Sequence, residues 1–325
     1  MSGRMGGMNA PARQHRLGMV GTVTEGSQRA IIAAFLANLG IAVAKFIGFA
    51  FTGAASMLAE AVHSVADTSN QGLLILGGRR ARRPPTPEHP FGYGRERYFW
   101  SFVVAVVLFT AGALFALFEG EEKLRHPHEL EAVGWAVGIL VVGIVLESFS
   151  LRTAVRESAH VKGPMSWRAF VRHAKVPELP VVLLEDVGAL LGLTFALAGV
   201  GLAEVTGNPR FDALGSLAIG LLLAVIAITL AAEMKSFLIG EAAAPEQVGR
   251  IAAAIEGTGG VQRLVHLRTE HLGPEELLVV AKIAVDGKAE AADTAALIDR
   301  AEAAVRSVVP EARLIYLEPD VERAR

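Results

Sequence analysis

The chain has 325 residues, of which 52% are hydrophobic and only 20% charged, and its mean hydropathy is positive. That balance excludes an ordinary soluble protein and reads as a polytopic membrane protein. A formal net charge of −2 offers no global attraction to nucleic acid, and the lack of cysteine excludes disulfides and thiolate metal sites, leaving His, Asp, Glu and water as ligands.

The first 28 residues, Met1 to Gln28, lack the basic, apolar and small-residue layout of a secretory signal and read as a cytoplasmic tail carrying Arg4, Arg13 and Arg16. Six apolar stretches follow, each near the roughly 20 residues needed to cross a hydrocarbon core. They are Ile31 to Phe51, Ala54 to Leu76, Phe99 to Phe118, Ala132 to Leu151, Pro180 to Leu202 and Phe211 to Ala232. An even count puts both termini on one side. Basic residues choose the side. Sixteen Lys and Arg fall in the tail and in the links after the second and fourth spans, against three, Lys123, Arg125 and Arg210, in the other links. The positive-inside rule therefore predicts cytoplasmic termini, in a plasma membrane if the membrane is bacterial. Gly77 and Gly78 are expected to end the second helix, and Pro84, Pro85 and Pro87 to keep the following link extended.

From Glu241 the apolar runs shorten and charges intersperse. Pro245 is expected to open a helix over Glu246 to Glu256, and Val261 to His271 and Glu275 to Val285 read as a hairpin around Gly273 and Pro274. Asp293 to Val308 reads as a second helix capped by Asp293, and Ala312 to Leu317 as a closing strand. The expected architecture is a tail over 1–28, an all-α bundle of six transmembrane helices over 29–239 and a small cytoplasmic α+β domain, ferredoxin-like, over 240–325.

Chemistry concentrates in "LAEAVHSVADTSNQGLL". On a helix, Ser56, Glu60, His63, Asp67 and Asn70 line up as one polar stripe. A charge at mid-bilayer costs about 2.5 to 3.5 kcal/mol on insertion scales, so such groups face a cavity, a partner or an ion. The fifth span offers Glu185 and Asp186 in "LLEDVGALLG". Adjacent helical residues point about 100° apart, so only one of these two acids aims at the stripe. Glu147 in the fourth span is a further intramembrane acid. Histidine with carboxylates at this spacing suits a divalent cation, zinc or else manganese, cobalt or iron. The same groups can hold protons once a metal leaves.

At these residues the chain resembles the cation diffusion facilitator family, which exports divalent metals in exchange for protons. The resemblance runs from about Ile31 to Leu317 and rests on "LAEAVHSVADT", "HPFGYGRERY" after the second span and "FDALGSLAIGLLL" opening the sixth. More narrowly, "HSVADTSNQGLL", "LLEDVGALLG" and "TGNPRFDALGSL" resemble the branch of the ninth vertebrate-type zinc transporter. The resemblance implies a homodimer with no prosthetic group, partnered by divalent metal, protons and the bilayer. It implies a transport site of two residues four apart in the second span, matched by His63 and Asp67, and two in the fifth, of which Asp186 matches one. The other position holds Val182, which cannot ligate, and Glu185, Glu147, Asn70 or water stand open as its replacement. A non-transporting metal sensor or scaffold is the alternative function. An enzyme is not expected, since no HExxH or paired nucleophile and base is present. His126 and His128 read as an ordinary loop, and His266 with Glu270 as a surface strand face rather than a regulatory metal site.

Overall fold

A computed structural model describes residues 55–127 and 133–321, with scattered positions between 35 and 50; the side chains of residues 55–64, 66, 67, 109–111, 135 and 173 lie outside what it describes. The tail over 1–28 and most of the first expected span fall outside the described residues, as does His128. In chain order the helices are α1 (Ala55–Ala81) and α2 (Glu96–Val107), a π-helical stretch (Leu108–Leu114) and α3 (Phe115–Arg125). Then come α4 (Val133–Lys162), α5 (Trp167–His173), α6 (Glu178–Thr206), α7 (Arg210–Ile239) and α8 (Pro245–Glu256). Strands β1 (Arg263–Gly273) and β2 (Glu276–Val285), helix α9 (Ala291–Val308) and strand β3 (Leu314–Val321) complete it.

Among the described residues, four helical stretches are long and apolar enough to cross a membrane: Glu96–Arg125, Ala136–Lys162, Glu178–Thr206 and Arg210–Ile239. Helix α1 is long enough but is not one of them, because its polar stripe dilutes its hydropathy. The third span is not one uniform α-helix. Its middle turn widens to a π-helix, a local change for which the sequence carries no sign.

The expectation that Gly77 and Gly78 end the second helix is corrected: α1 continues through both to Ala81. Gly77 is small for a different reason. A Cβ there would lie 2.8 Å from the Trp100 Cβ, so the glycine lets α1 and α2 approach closely. Arg80, one turn further, places its guanidinium 5.2 Å from the Trp100 ring centre. The Trp100 indole N–H donates to the Glu96 carboxylate at 2.6 Å.

The chain divides into two compact units, residues 1–76, 103–174 and 178–228 in one, and residues 77–102, 175–177 and 229–325 in the other. In the first unit α3 and α7 meet through reciprocal glycines. A Cβ on Gly120 would lie 2.8 Å from Leu217, and one on Gly220 would lie 2.6 Å from Leu117. Such backbone approach is how apolar helices gain dispersion contact where lipid offers no hydrophobic drive. Lys123 clasps the same pair of helices, 3.1 Å from Glu119 and 2.9 Å from Asp212. Helices α4 and α6 pack along one another in this unit.

In the second unit the sheet has the order β1-β2-β3, with β1 and β2 antiparallel and β2 and β3 parallel. Alternation explains the core. Leu277, Val279, Ala281, Ile283 and Val285 of β2 are all buried, as the period of two requires for one face. They pack with Ile251 and Ile255 of α8, with Leu297, Ala301 and Val305 of α9 at four-residue spacing, and with Ile315 and Leu317 of β3. The expected order of helix, strand, strand, helix, strand is what forms. The ends shift: β1 lies two residues later than expected, β3 runs from Leu314 on to Val321, and α9 begins at Ala291 with Glu290 at its cap position, so Asp293 lies in the first turn instead of capping.

The "HPFGYGRERY" segment belongs to this second unit. Tyr98 is fully buried, stacks on Phe237 with ring centres 4.7 Å apart and donates its hydroxyl to the Lys175 carbonyl at 3.3 Å. Arg95 pairs with Glu270, and Lys175 lies 3.1 Å from Glu241. A Cβ on Gly94 would lie 2.6 Å from the Leu272 carbonyl oxygen, so only glycine fits against the β1–β2 turn.

Candidate metal site

Helix α1 carries Glu60, His63 and Asp67, whose side chains lie outside the described residues. One turn further on, the same face continues into Asn70 and Gln71, both nearly inaccessible to solvent. A buried carboxamide needs partners, and Asn70 finds one across the bundle. Its Nδ2 donates to the Glu185 Oε1 of α6 at 3.2 Å. Its Oδ1, and the Oε1 of Gln71, are buried with no hydrogen-bond partner among the described residues. Unsatisfied carbonyl oxygens of this kind are costly, which makes them informative.

The two adjacent acids of α6 point to different neighbours, as the 100° step between them demands. Glu185 meets α1 at Asn70, whereas buried Asp186 accepts a 3.0 Å hydrogen bond from the Ser150 hydroxyl of α4. Glu147 sits one turn before Ser150 on α4, on the same helical face. Among the predicted residues, then, the structure brings together Asn70 and Glu185. It joins Asp186 to Ser150 of α4, and the side chains of His63 and Asp67 lie outside the described residues. Val182, one turn before Asp186, offers no donor atom. Ser150 was not anticipated. Its signal was available, since a serine three residues after Glu147 extends a polar face in an otherwise apolar span.

Among the described residues no three His, Asp or Glu side chains converge closely enough to hold a metal. In β1, His266 is exposed and Glu270 is engaged by Arg95, so the strand face they share is a salt-bridged surface. His271 points oppositely and is buried, with neither ring nitrogen hydrogen-bonded to a described residue. Burial, aided by the nearby Lys175 charge, pushes its imidazole down to about 4, with the Gly273 backbone opposing weakly. The His126 Nδ1 lies 3.0 Å from the Glu122 carboxylate one turn back.

Long apolar helices, with buried Asn70 of α1 hydrogen-bonded to Glu185 of α6, together with a small α+β domain, describe a polytopic membrane protein with a cytoplasmic-type domain. Residues 31–239 match the cation efflux transmembrane domain and residues 243–320 the cytoplasmic domain of cation efflux proteins, and the chain belongs to the cation efflux family. It is 37% identical over 247 residues to the human "Proton-coupled zinc antiporter SLC30A9, mitochondrial", covering 75% of this chain and 43% of that protein. The "Metal tolerance protein C4" of Arabidopsis thaliana is 31% identical over 81% of this chain and 58% of its own length. "Cation-efflux pump FieF" of Klebsiella pneumoniae is 26% identical over 78% and 79%. A solved MamM CTD structure, 22% identical, covers 24% of this chain and 94% of its own, with a TM-score of 0.23. The chain spans less than half the length of the SLC30A9 protein it matches.

Proposed function

We propose that the protein is a secondary active transporter, not an enzyme, that exports a divalent cation, zinc, from the cytoplasm in exchange for protons. The observation that carries this reading is the Asn70 to Glu185 hydrogen bond, which ties the polar stripe of α1 to the acidic pair of α6 inside the region matched to the cation efflux transmembrane domain. The names of the SLC30A9 relatives support zinc and protons as the exchanged species.

In this mechanism the metal enters from the cytoplasmic side and docks between α1 and α6 on His63, Asp67 and Asp186, with Glu185, Glu147, Asn70 or water completing the shell. The bundle rocks, the metal leaves, and protons reload the vacated groups before the return. Histidine titrates near neutrality unless perturbed, which suits it to exchange a proton for a metal. The tail over 1–28, bundle over 29–239 and α+β domain over 240–325 form the functional division. Both termini lie in the cytoplasm, at a plasma membrane, and the α+β domain pairs with its twin in a homodimer.

Uptake of zinc, manganese, cobalt and iron into proteoliposomes bearing a pH gradient tests the reading. Gradient-dependent zinc flux, abolished by Asp67→Ala and His63→Ala, is the expected result. Stoichiometric metal binding without flux would replace transport by the sensor or scaffold function.

A further inference from the structure

We infer that Asn70 is itself an oxygen ligand of the transported cation and, with Glu185, supplies the donors missing at Val182. This rests on the transport reading above and deepens it by naming the replacement.

Three observations converge. Asn70 follows Asp67 by three residues and His63 by seven, so all three share one helical face. Its side chain is 3% exposed, and its carbonyl oxygen Oδ1 has no hydrogen-bond partner among the described residues although it is buried. Its amide nitrogen is committed to the Glu185 Oε1 at 3.2 Å, which sets the orientation of both groups. A carboxamide that donates to a carboxylate turns its oxygen the other way, where a cation is the natural partner for a buried acceptor with no partner among the described residues. Glu185 then offers a carboxylate steered by Asn70, as ligating carboxylates ordinarily are by a neighbouring hydrogen bond.

Of the other candidates for the place of Val182, Glu147 lies on α4, whereas Asn70 and Glu185 already meet across α1 and α6. The resulting donor set, one imidazole with carboxylate and carboxamide oxygens, is harder than a site with two histidines, and it widens acceptance from zinc toward manganese.

The test measures zinc and manganese binding to the purified full chain in detergent, with uptake into proteoliposomes alongside. Asn70→Ala is expected to weaken zinc binding roughly ten- to hundred-fold, the range seen when a metal site loses a supporting group. Asn70→Asp, which keeps an oxygen but loses the N–H donor, is expected to stay within a few-fold of the native protein. If Asn70→Asp is as poor as Asn70→Ala, Asn70 is a structural tie to Glu185 and the proposal falls. It falls equally if Asn70→Ala binds normally. Should Asn70→Ala not fold, Glu185→Gln provides the second arm: a comparable loss supports the shared site, and native affinity overturns it. His63→Ala separates the two levels, because unchanged flux there would sink the transport site itself whatever Asn70 does.

Discussion

The Ser150 hydroxyl donates to the Asp186 carboxylate at 3.0 Å, linking α4 to α6 beside the proposed cation path. Asp186 is buried, so the bond fixes which way a costly group points. Removing a hydrogen-bond partner loosens the orientation of a ligating carboxylate, and such losses reduce metal affinity by roughly 10- to 100-fold. Ser150→Ala is therefore expected to raise the zinc concentration needed for half-maximal uptake by about ten-fold, with Ser150→Thr close to native. Equal uptake by Ser150→Ala and the native chain would remove Ser150 from the site.

Val182 stands where the resemblance places a ligand, one turn before Asp186 on α6. An imidazole there would add a nitrogen donor, which favours zinc and cobalt over manganese. Val182→His is expected to raise the zinc-to-manganese uptake ratio several-fold. An unchanged ratio, with the protein folded and transporting, would mean that position 182 does not face the cation path.

Much of this arrangement was legible in the sequence, and the limits have physical causes. The period of two in β2 and the four-residue spacing of α9 marked the core of the α+β domain, because burial there is one-sided. The polar face expected along α1 is seen at Asn70 and Gln71, which are buried, while the side chains of His63 and Asp67 lie outside the described residues. What could not be read was which neighbour each polar group meets. Glu185 and Asp186 differ by one position, yet one reaches α1 and the other α4, a choice set by helix rotation in the packed bundle. Gly77 misled for a related reason: glycine ends helices in water but also lets them touch, and only the presence of Trp100 distinguishes the two.

Gly94 tests how the "HPFGYGRERY" segment is held. Its added Cβ would meet backbone atoms, the Leu272 oxygen at 2.6 Å and the Gly273 Cα at 3.0 Å, which cannot swing aside as a side chain would. Overpacking of this kind costs about 1 to 3 kcal/mol. Gly94→Ala is expected to lower the melting temperature of the full chain and speed proteolysis between residues 82 and 97, while Gly92→Ala, whose Cβ would meet only Pro85 Cγ at an ordinary 3.8 Å though its φ is +83°, perturbs less at the β1–β2 turn. Native melting and cleavage rates for Gly94→Ala would show that this contact does not hold the segment.

His271 makes the second unit sensitive to acid. Its imidazole sits at about 4 instead of 6.5, chiefly because burial disfavours the charged form and secondarily because Lys175 repels it. The folded chain thus binds the proton later than the unfolded one does. The stability associated with neutral His271 is fully present above pH 6.5, falls as pH drops below 6.5, and is lost by about pH 4. The linked difference is on the order of 3 kcal/mol. His271→Leu keeps an apolar side chain in the same buried position and removes the proton, so thermal unfolding of the full chain is expected to fall less steeply between pH 6.5 and 4 than in the native protein. Parallel pH profiles for the two proteins would mean that the buried imidazole already carries its proton or is reached by water, and the assignment of acid sensitivity to His271 would fail.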